Sequence, residues 1–445
     1  MKIFFVSLGC DKNLVDSEEM LGLLESKGYA FTDDETEADV IIINTCCFIN
    51  DAKEESVQTI LEMAEYKKAG SCKALIVTGC MAQRYRQEIL DEIEEVDMVL
   101  GTTAYEDIVR AVETAVGGGR AVEEKPLDYL PQPGSGRILT TGGHFAYLKI
   151  AEGCNKCCTY CIIPKLRGKY RSVPMERLIA QAEMLAKQGV KELILVAQET
   201  TVYGTDLYGR KSLHLLLEAL CKISGIRWIR VLYCYPEEIY DELIETMKRE
   251  PKICHYLDLP IQHASDPVLR RMGRRTTKQA LLDIIEKLRK AMPDIILRTT
   301  LIAGFPGETQ EQHEELMEFI DEVEFDRLGV FTYSQEEDTP AASMPDQIDE
   351  ETKLTWQEEL MELQQEIAFD KAEAMIGRTV IAMVEGKVAD ENAYVARTYG
   401  DAPNVDGLLF LNTQETLESG DFVKARIIGA AEYDLIGEIS DEFAE

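Results

Sequence analysis

The sequence predicts an α/β protein with three parts: an N-terminal parallel α/β domain, a partial (βα)6 barrel and a small C-terminal β-barrel. Two observations support this fold class. Apolar strand candidates alternate with helical patterns through most of the chain, which is typical of parallel sheets covered by helices. Beyond a long helical pattern at 350–376, short strand candidates follow one another with Gly, Asn and Asp turns, which is typical of a small barrel.

The N-terminal domain is expected to span residues 1–118. Helical stretches separate its strand candidates, and in the first of these we expect Asp16 and Ser17 to cap the helix and Gly28 to end it. The strand candidates are KIFFVSL, DVIIIN, KALIVT and DMVLG.

A linker, the partial barrel and the small barrel are expected to follow in that order. Residues 119–143 are rich in Gly and Pro and lack periodicity, which indicates the linker. Residues 144–370 contain six strand candidates, so the barrel stops short of the usual eight and is open along one side. Residues 371–445 form the small barrel, which we expect to dock a partner. The six candidates are FAYLKI, KELILVA, IRWIRVLY, HYLDLP, IILRTTLIAG and RLGVFTY.

Composition restricts the class of protein. The 445 residues carry a net charge of −34, so the chain is repelled by phosphate backbones and suits a basic partner. No window approaches the ~18 apolar residues of a membrane span. The N-terminal apolar run, Ile3 to Val6, is too short for a secretory signal, so we expect a cytoplasmic protein. Twelve cysteines in such a chain predict thiols for metals or catalysis rather than disulfides.

Four of these cysteines lie in the stretch CNKCCTYC, directly after the first strand of the partial barrel, where barrel enzymes place their active sites. One interpretation is a zinc site made of two back-to-back pairs. Adjacent Cys157 and Cys158 cannot easily both face one ion, which disfavours zinc. The other interpretation is a [4Fe–4S] cluster with one open iron, for which Cys157 is not a ligand. Its ligands are Cys154, Cys158 and Cys161.

A second set of three cysteines ends three strands of the N-terminal domain. Cys10, Cys46 and Cys80 follow the strands in SLGC, NTC and TGC. The carboxyl ends of parallel strands meet at one edge of a sheet, so these thiols are expected to converge. They predict a second cluster with an open iron, and the alternative is three core cysteines that coincide by chance.

The spacing C-x3-C-x2-C, together with LIAGFPGET at 301–309, resembles the radical S-adenosylmethionine (SAM) superfamily. In that family the open iron chelates the amino and carboxylate groups of SAM, and an electron cleaves SAM to methionine and a 5′-deoxyadenosyl radical. Alone, GFPGET would be an ordinary strand-to-helix turn, and Gln198 a solvated amide at a strand end. The resemblance implies that SAM contacts Tyr160, Gln198, Gly304, Pro306, Gly307 and Glu308.

Nearly the whole chain resembles the methylthiotransferase family of radical SAM enzymes. The motifs are SLGCDKNLVDSE, CTYCIIPKLRG, YLDLPIQHASDPVLRRM, LRTTLIAGFPGET and RLGVFTYSQEEDTPAA. They are most similar to the branch that modifies a small-subunit ribosomal protein, with Asp11 for a frequent Pro and Glu199 for a frequent Asp. The resemblance implies a TRAM-type C-terminal barrel and two [4Fe–4S] clusters, with SAM as radical source and methyl donor. It also implies a low-potential electron donor, a sulfur source and, as substrate, the β-carbon of an aspartate in ribosomal protein S-twelve.

Two other functions remain open from the sequence. One is a sister enzyme that acts on an adenosine (isopentenyladenosine) of transfer RNA, and the other is a non-enzymatic iron–sulfur or zinc module on the ribosome. From residue 372 onward five basic and fifteen acidic residues give a net charge of −10. A barrel that bound transfer RNA would need Lys and Arg for the phosphates, so we expect no direct reading of nucleic acid.

One basic run, RRMGRR, stands out in this acidic chain. It is either a solvated loop with the start of a helix, or a docking patch for ribosomal RNA or an acidic neighbour. Its charged residues are Arg270, Arg271, Arg274 and Arg275.

Overall fold

Six parallel strands form the sheet of the N-terminal segment. The computed structural model describes residues 1–70, 72–132, 136–389 and 391–440. The strands lie in the order β2-β1-β3-β4-β5-β6. The last strand of this sheet, β6, falls inside the predicted linker. The sequence did not predict it because a three-residue edge strand is too short to show periodicity. The strands are β1 (Lys2–Ser7), β2 (Ala30–Phe31), β3 (Val40–Thr45), β4 (Ala74–Gly79), β5 (Val96–Leu100) and β6 (Ala121–Glu123).

Helices cover both faces of this sheet, as its continuous apolar strands require. In β3, Ile42 faces one hydrophobic cluster with Met20 and Ile108, whereas Ile41 faces the other with Ile60 and Met81. The sheet is therefore a central layer with two cores. Its helices are α1 (Asp11–Ser26), α2 (Asn50–Lys68), α3 (Cys80–Tyr85), α4 (Gln87–Glu92) and α5 (Ile108–Val116).

The two ends of α1 differ in how well the sequence predicted them. The prediction that Asp16 and Ser17 cap the helix is wrong, because α1 begins at Asp11 and both residues are buried inside it. The Ser17 hydroxyl lies 2.7 Å from that of Ser7, a tertiary contact that overrides its capping preference. The prediction for Gly28 is confirmed. Gly28 has φ +82°, and its N–H donates to the Glu25 carbonyl at 2.8 Å, which ends the helix.

The middle segment contains the predicted six-stranded parallel sheet, with two short strands that the sequence did not predict. The sheet order is β14-β13-β12-β11-β10-β7, and β8 and β9 pair separately as an antiparallel ribbon. The strands are β7 (Phe145–Lys149), β8 (Ala151–Glu152), β9 (Arg171–Ser172), β10 (Glu192–Val196), β11 (Trp228–Val231), β12 (Ile253–Asp258), β13 (Ile296–Ala303) and β14 (Arg327–Thr332).

Nine helices accompany these strands in the described part of the chain. The start of α13 shows how local sequence sets a boundary. The Thr309 side chain accepts the Gln312 N–H, and the Gln312 side chain accepts the Thr309 N–H, which is a capping box. The helices are α6 (Ile163–Arg167), α7 (Met175–Lys187), α8 (Thr205–Tyr208), α9 (Leu213–Cys221), α10 (Asp241–Arg249), α11 (Asp266–Arg271), α12 (Lys278–Ala291), α13 (Gln310–Val323) and α14 (Glu350–Glu373).

The C-terminal segment is the predicted small barrel, closed by five strands in the order β15-β16-β17-β19-β18. Alternate side chains such as Ala382, Val384 and Ala396 fill its interior. Closure leaves no unpaired sheet edge. The strands are β15 (Thr379–Lys387), β16 (Ala393–Thr398), β17 (Leu409–Asn412), β18 (Phe422–Ala431) and β19 (Asp434–Ile439).

Buried ion pairs join this barrel to the start of the middle strands. Glu192, the first residue of β10, accepts from Arg397 at 2.7 Å and from Arg230 at 2.8 Å. Arg327, the first residue of β14, bonds to Asp401 at 2.6 Å. The small barrel therefore lies at the amino ends of the strands, away from the carboxyl ends where the active site was predicted.

The contacts divide the chain into two compact units. The first comprises 1–140, 151–173 and 334–342, and the second comprises 141–150, 174–333 and 343–445. The stretch CNKCCTYC thus belongs to the same unit as the N-terminal sheet. The middle sheet and the small barrel belong to the second unit.

Candidate functional site

The first thiol set, Cys10, Cys46 and Cys80, lies at the carboxyl ends of three adjacent strands. Cys46 directly follows β3, Cys80 opens α3 after β4, and Cys10 precedes α1 after β1. β1 and β3 are neighbours where the strand order reverses, and such a switch point opens a crevice that binds ligands. The predicted convergence follows from this topology.

Two glycines allow the strand ends to approach each other around these thiols. Gly9 has φ +87°, and a Cβ there would lie 2.7 Å from the Cβ of Cys46. Gly79 has φ +92°, and a Cβ there would lie 2.5 Å from the Thr45 carbonyl oxygen. Both the backbone conformation and the lack of space exclude a side chain at these positions.

Burial disfavours the thiolate form of Cys46 and Cys80. Burial and, to a lesser extent, the neighbouring Cys80 together raise the pKa of Cys46 to about 12. Burial also raises the pKa of Cys80, whereas the nearby Arg167 opposes that rise. Metal binding by such thiols requires deprotonation, so iron would supply the compensating charge.

The second thiol set, Cys154, Cys158 and Cys161, lies in the loop between β8 and β9. Cys154 and Cys158 are buried. The Cys154 N–H donates to the Gly168 carbonyl at 3.1 Å, and the Cys161 N–H to the Cys158 carbonyl at 3.0 Å, which fixes the loop. Burial, with the charges of Cys158 and Cys154 close by, raises the pKa of Cys161. These three thiols are thus electrostatic neighbours.

Each thiol set has one adjacent cysteine outside it, and these two cysteines differ in environment. Cys157 is exposed and has φ +54°, in the left-handed region that a cysteine rarely adopts. Cys47 is fully buried in the apolar cluster between the sheet and α2. Of the residues that the structure describes, no three His, Cys, Asp or Glu already surround a point that one metal ion could occupy. A cubane cluster instead gives each thiolate its own iron.

The segment 334–342 contacts the loop that carries the second thiol set. The sequence alone did not predict this contact. The Ala341 N–H donates to the Thr159 carbonyl at 2.9 Å. Glu336 is buried and pairs with Lys53 at 2.9 Å and with Arg84 at 3.2 Å. The only signal in the sequence was the length of the motif RLGVFTYSQEEDTPAA, which continues past the end of β14.

Of the predicted SAM contacts, Gln198 and 304–308 belong to the second unit, whereas Tyr160 belongs to the first. The Gln198 Oε1 is buried and has no hydrogen-bond partner in the described chain, which argues against a solvated amide. Gly304 and Gly307 have φ +75° and +74°, the left-handed region that favours glycine, and a Cβ at Gly304 would collide with Lys353 Cγ.

Glu308 holds this turn from within. One carboxylate oxygen accepts the Phe305 N–H at 2.9 Å, and the other lies 3.0 Å from His263 Nε2. The His263 Nδ1 accepts the Ser265 N–H at 2.9 Å, which leaves Nε2 to donate to Glu308. Pro306 is buried between these contacts. Both oxygens of Glu308 are therefore engaged inside the protein.

The basic run RRMGRR is only partly a surface patch. Arg274 is buried, pairs with Glu237 at 3.2 Å and stacks over the Tyr235 ring at 4.3 Å. Arg271 donates to Gln312 at 3.1 Å. Of the four arginines, Arg270 and Arg275 are the exposed ones.

Comparison with known proteins identifies the family. Residues 2–101 match "Uncharacterized protein family UPF0004", 148–320 the "Radical SAM superfamily" and 376–439 the "TRAM domain". The chain is 62% identical to the "Ribosomal protein uS12 methylthiotransferase RimO" of Lachnoclostridium phytofermentans, over 98% of this chain and 99% of the relative. It is 49% identical to the RimO of Clostridioides difficile over the full length of both.

The chain belongs to the RimO family.

Solved structures show the same fold at low identity. The radical SAM methyltransferase TsrM from Kitasatospora setae matches with a TM-score of 0.55 and 14% identity, over 76% of each chain. The cobalamin-dependent enzyme OxsB matches with a TM-score of 0.52 and 14% identity, over 82% of this chain and 56% of that one. The predicted fold class and family are confirmed.

Membership of the RimO family, and with it the radical SAM superfamily, implies a [4Fe–4S] cluster and SAM. The residues present fit both groups. Three thiols share one loop. Gly304 and Gly307 give one turn a positive φ, and the side-chain amide oxygen of Gln198 is buried with no hydrogen-bond partner in the described chain. Within the described ranges, no helix has the length and apolar character to cross a membrane.

Proposed function

We propose that this chain methylthiolates the β-carbon of an aspartate in ribosomal protein uS12, with SAM as both radical source and methyl donor. The observation that carries the proposal is the 62% identity to a uS12 methylthiotransferase over 98% of the chain. A relative at that identity shares every domain in the same order, so we expect it to share the substrate.

Two [4Fe–4S] clusters are part of this proposal. Each thiol set supplies three ligands, which leaves one iron of each cubane open to another molecule. Both sets follow strands in the chain, and two thiols of each set are buried, which supports a protected site. When bound, the clusters and SAM supply the radical and sulfur chemistry. We assign Cys154, Cys158 and Cys161 to the SAM-cleaving cluster and Cys10, Cys46 and Cys80 to the sulfur-delivering one.

The chain's own residues bind and orient the cofactor. We assign the buried Gln198 oxygen as an acceptor for SAM and the backbone around Gly304, Pro306 and Gly307 as its close contact. Glu308 holds that turn in shape, since both of its oxygens are engaged by the turn and by His263. Tyr160, beside Cys161, completes the set of proposed contacts.

The partners follow from the chemistry and the charge. The reaction needs a low-potential electron donor and a sulfur source. The C-terminal net charge of −10 suits a basic ribosomal protein and disfavours RNA phosphates. We propose that the enzyme acts in the cytoplasm, on or near the ribosome.

Mass spectrometry of two substrates tests the proposal. The enzyme is incubated with SAM, reductant, sulfide, uS12 and transfer RNA. We expect methylthiolated uS12 and unmodified RNA, and the reverse result would establish the transfer RNA activity instead.

Replacing Cys154, Cys158 and Cys161 by Ala should abolish SAM cleavage. Replacing Cys10, Cys46 and Cys80 should keep SAM cleavage but stop methylthiolation, and continued methylthiolation would refute the assigned roles.

A further inference from the structure

Arg167 is a buried cation beside the first thiol set. It ends α6, six residues after Cys161, and its side chain is 2% exposed. Nη1 donates to Asp16 at 2.8 Å and to Glu152 at 3.2 Å. Such a charge is costly to bury, so its partners must compensate it.

The second nitrogen of Arg167 reaches the strand ends through Asn13. Arg167 Nη2 donates to the side-chain oxygen of Asn13, which lies 3.8 Å from the Cys80 sulfur. The Asn13 amide in turn donates to the carbonyls of Leu8 at 3.2 Å and Thr45 at 3.0 Å. Leu8 lies two residues before Cys10, and Thr45 directly precedes Cys46. Arg167 and Asn13 thus connect all three strand ends that carry the first thiol set.

Carboxylates and thiols both lie around Arg167. Two carboxylates, Asp16 and Glu152, face this one guanidinium. Its positive charge also acts on Cys46 and Cys80. Three thiolates would make the site strongly negative. Hydrogen bonds and net charge near an iron–sulfur cluster set its reduction potential.

We propose that Arg167 is the fixed counter-charge of the first thiol set and a positioning residue that raises the reduction potential of the cluster held there. The loop that carries the second thiol set thereby also controls the redox state of the first. This inference rests on the proposed two-cluster function.

The test isolates the first cluster in the full-length chain by replacing Cys154, Cys158 and Cys161 with Ala. In that background, Arg167→Gln removes the positive charge and Arg167→Lys keeps it. The double substitution Arg167→Gln with Asp16→Asn restores the net charge of the site. Iron is counted, and the midpoint potential is measured by redox titration followed by electron paramagnetic resonance. We expect Arg167→Gln to weaken reduction about tenfold, a shift of about 59 mV to more negative potential for one electron. The midpoint potential of the Arg167→Lys variant should stay close to that of the parent triple variant.

A second buried arginine provides the matched control. Arg137 pairs with Glu18 on the same helix α1, with both side chains almost fully buried. Arg137→Gln should leave the potential of the cluster unchanged, although it removes an equally buried charge.

Each of the other possible results either supports the proposal or overturns it. If Arg167→Gln loses iron and the rebalanced variant recovers it, the role in charge compensation is supported. The proposal is overturned by an unchanged potential in Arg167→Gln, by equal defects in Arg167→Gln and Arg167→Lys, or by iron loss that rebalancing does not repair. If the parent triple variant binds no iron, the two-cluster proposal fails, and the assignment to Arg167 fails with it.

Discussion

At the scale of single residues, substitution of Cys157 distinguishes a four-thiolate zinc site in CNKCCTYC from a [4Fe–4S] cluster with three thiolate ligands. The Cys157 side chain is exposed and its backbone has φ +54°. We expect Cys157→Ala to keep the full iron content and to change the free energy of unfolding by less than about 0.5 kcal/mol. Iron analysis after anaerobic reconstitution checks this, with Cys158→Ala as the matched control that should lose about four irons. An equal loss in both variants would favour four-thiolate binding.

His263 tests whether the glycine turn at 304–308 is held by its internal hydrogen bonds. His263→Ala leaves the buried Glu308 carboxylate without one partner, which should cost about 1–3 kcal/mol of stability. We also expect weaker SAM binding, because the turn loosens. Calorimetric titration of SAM checks this, and His263→Gln, which can still donate to Glu308, should recover most of the affinity. Unchanged affinity in His263→Ala would show that the turn does not contact SAM.

The site residues that could be predicted from the sequence differ from the others in how far away in the chain their partners lie. Cys10, Cys46 and Cys80 could be grouped because each follows a recognisable strand, and parallel strands bring their ends together. Cys154, Cys158 and Cys161 could be grouped because they are close in the sequence, at the spacing C-x3-C-x2-C. Arg167 and Glu336 could not be placed, because their partners Asp16 and Lys53 lie far away in the chain. An ion pair between distant residues has no periodicity and no fixed spacing to detect.

At the scale of elements, the two glycines that flank α1 should behave differently on substitution. A Cβ at Gly9 would collide with Cys46, whereas none of the described atoms lies within 4 Å of a Cβ at Gly28. Gly9→Ala should therefore displace Cys46 and reduce the iron content from about eight to about four. Gly28→Ala should cost only about 1–2 kcal/mol for its positive φ and keep all the iron. Full iron in Gly9→Ala would remove Cys46 from the ligand set.

The segment 334–342 offers a second test at this scale. Glu336→Gln breaks buried pairs with Lys53 and Arg84, so we expect a loss of about 3–5 kcal/mol in the stability of the first unit. Asp338→Asn in the same segment removes an exposed pair with Lys165 and should cost no more than about 1 kcal/mol. Urea unfolding measures both values. Equal values would show that the segment is only loosely attached.

Strand and helix identities were easier to predict than helix starts or short edges. The strands β3 and β4 are buried throughout and each contains a run of four apolar residues, from which their type could be predicted. The start of α1 was missed because Asp16 and Ser17 have good capping chemistry but form tertiary contacts. β6 was missed because the sheet, rather than its own three residues, makes it a strand.

At the scale of the whole molecule, the net charge of −34 should govern the encounter with a basic substrate. We expect the association rate constant for uS12 to fall roughly tenfold or more between low and high salt, because the Debye length shortens from about 30 Å at 0.01 M to about 3 Å at 1 M. Stopped-flow binding measures this, with the dissociation rate as an internal control that should change much less. A salt-independent association rate would refute charge steering.

The acidic C-terminal barrel is less available to a partner than its composition implied. Asp401 pairs with Arg327, Asp406 accepts from the Tyr256 hydroxyl, and Glu385 lies 2.7 Å from His144 Nε2, just before β7. These carboxylates hold the barrel against the middle sheet. The charge that can steer a substrate is therefore smaller than the count from the sequence.

The discontinuous first unit has a consequence for how the protein is made. A nascent chain leaves the ribosome from its N-terminus, yet this unit includes Ala151–Val173 and Ser334–Ala342. The first thiol set lacks Arg167 until the second stretch emerges, and the loop of the second set lacks its contact with Ala341 until that residue has been synthesised. We therefore expect iron to be loaded after about three quarters of the chain has been translated, once the segment 334–342 has packed against the loop of the second thiol set.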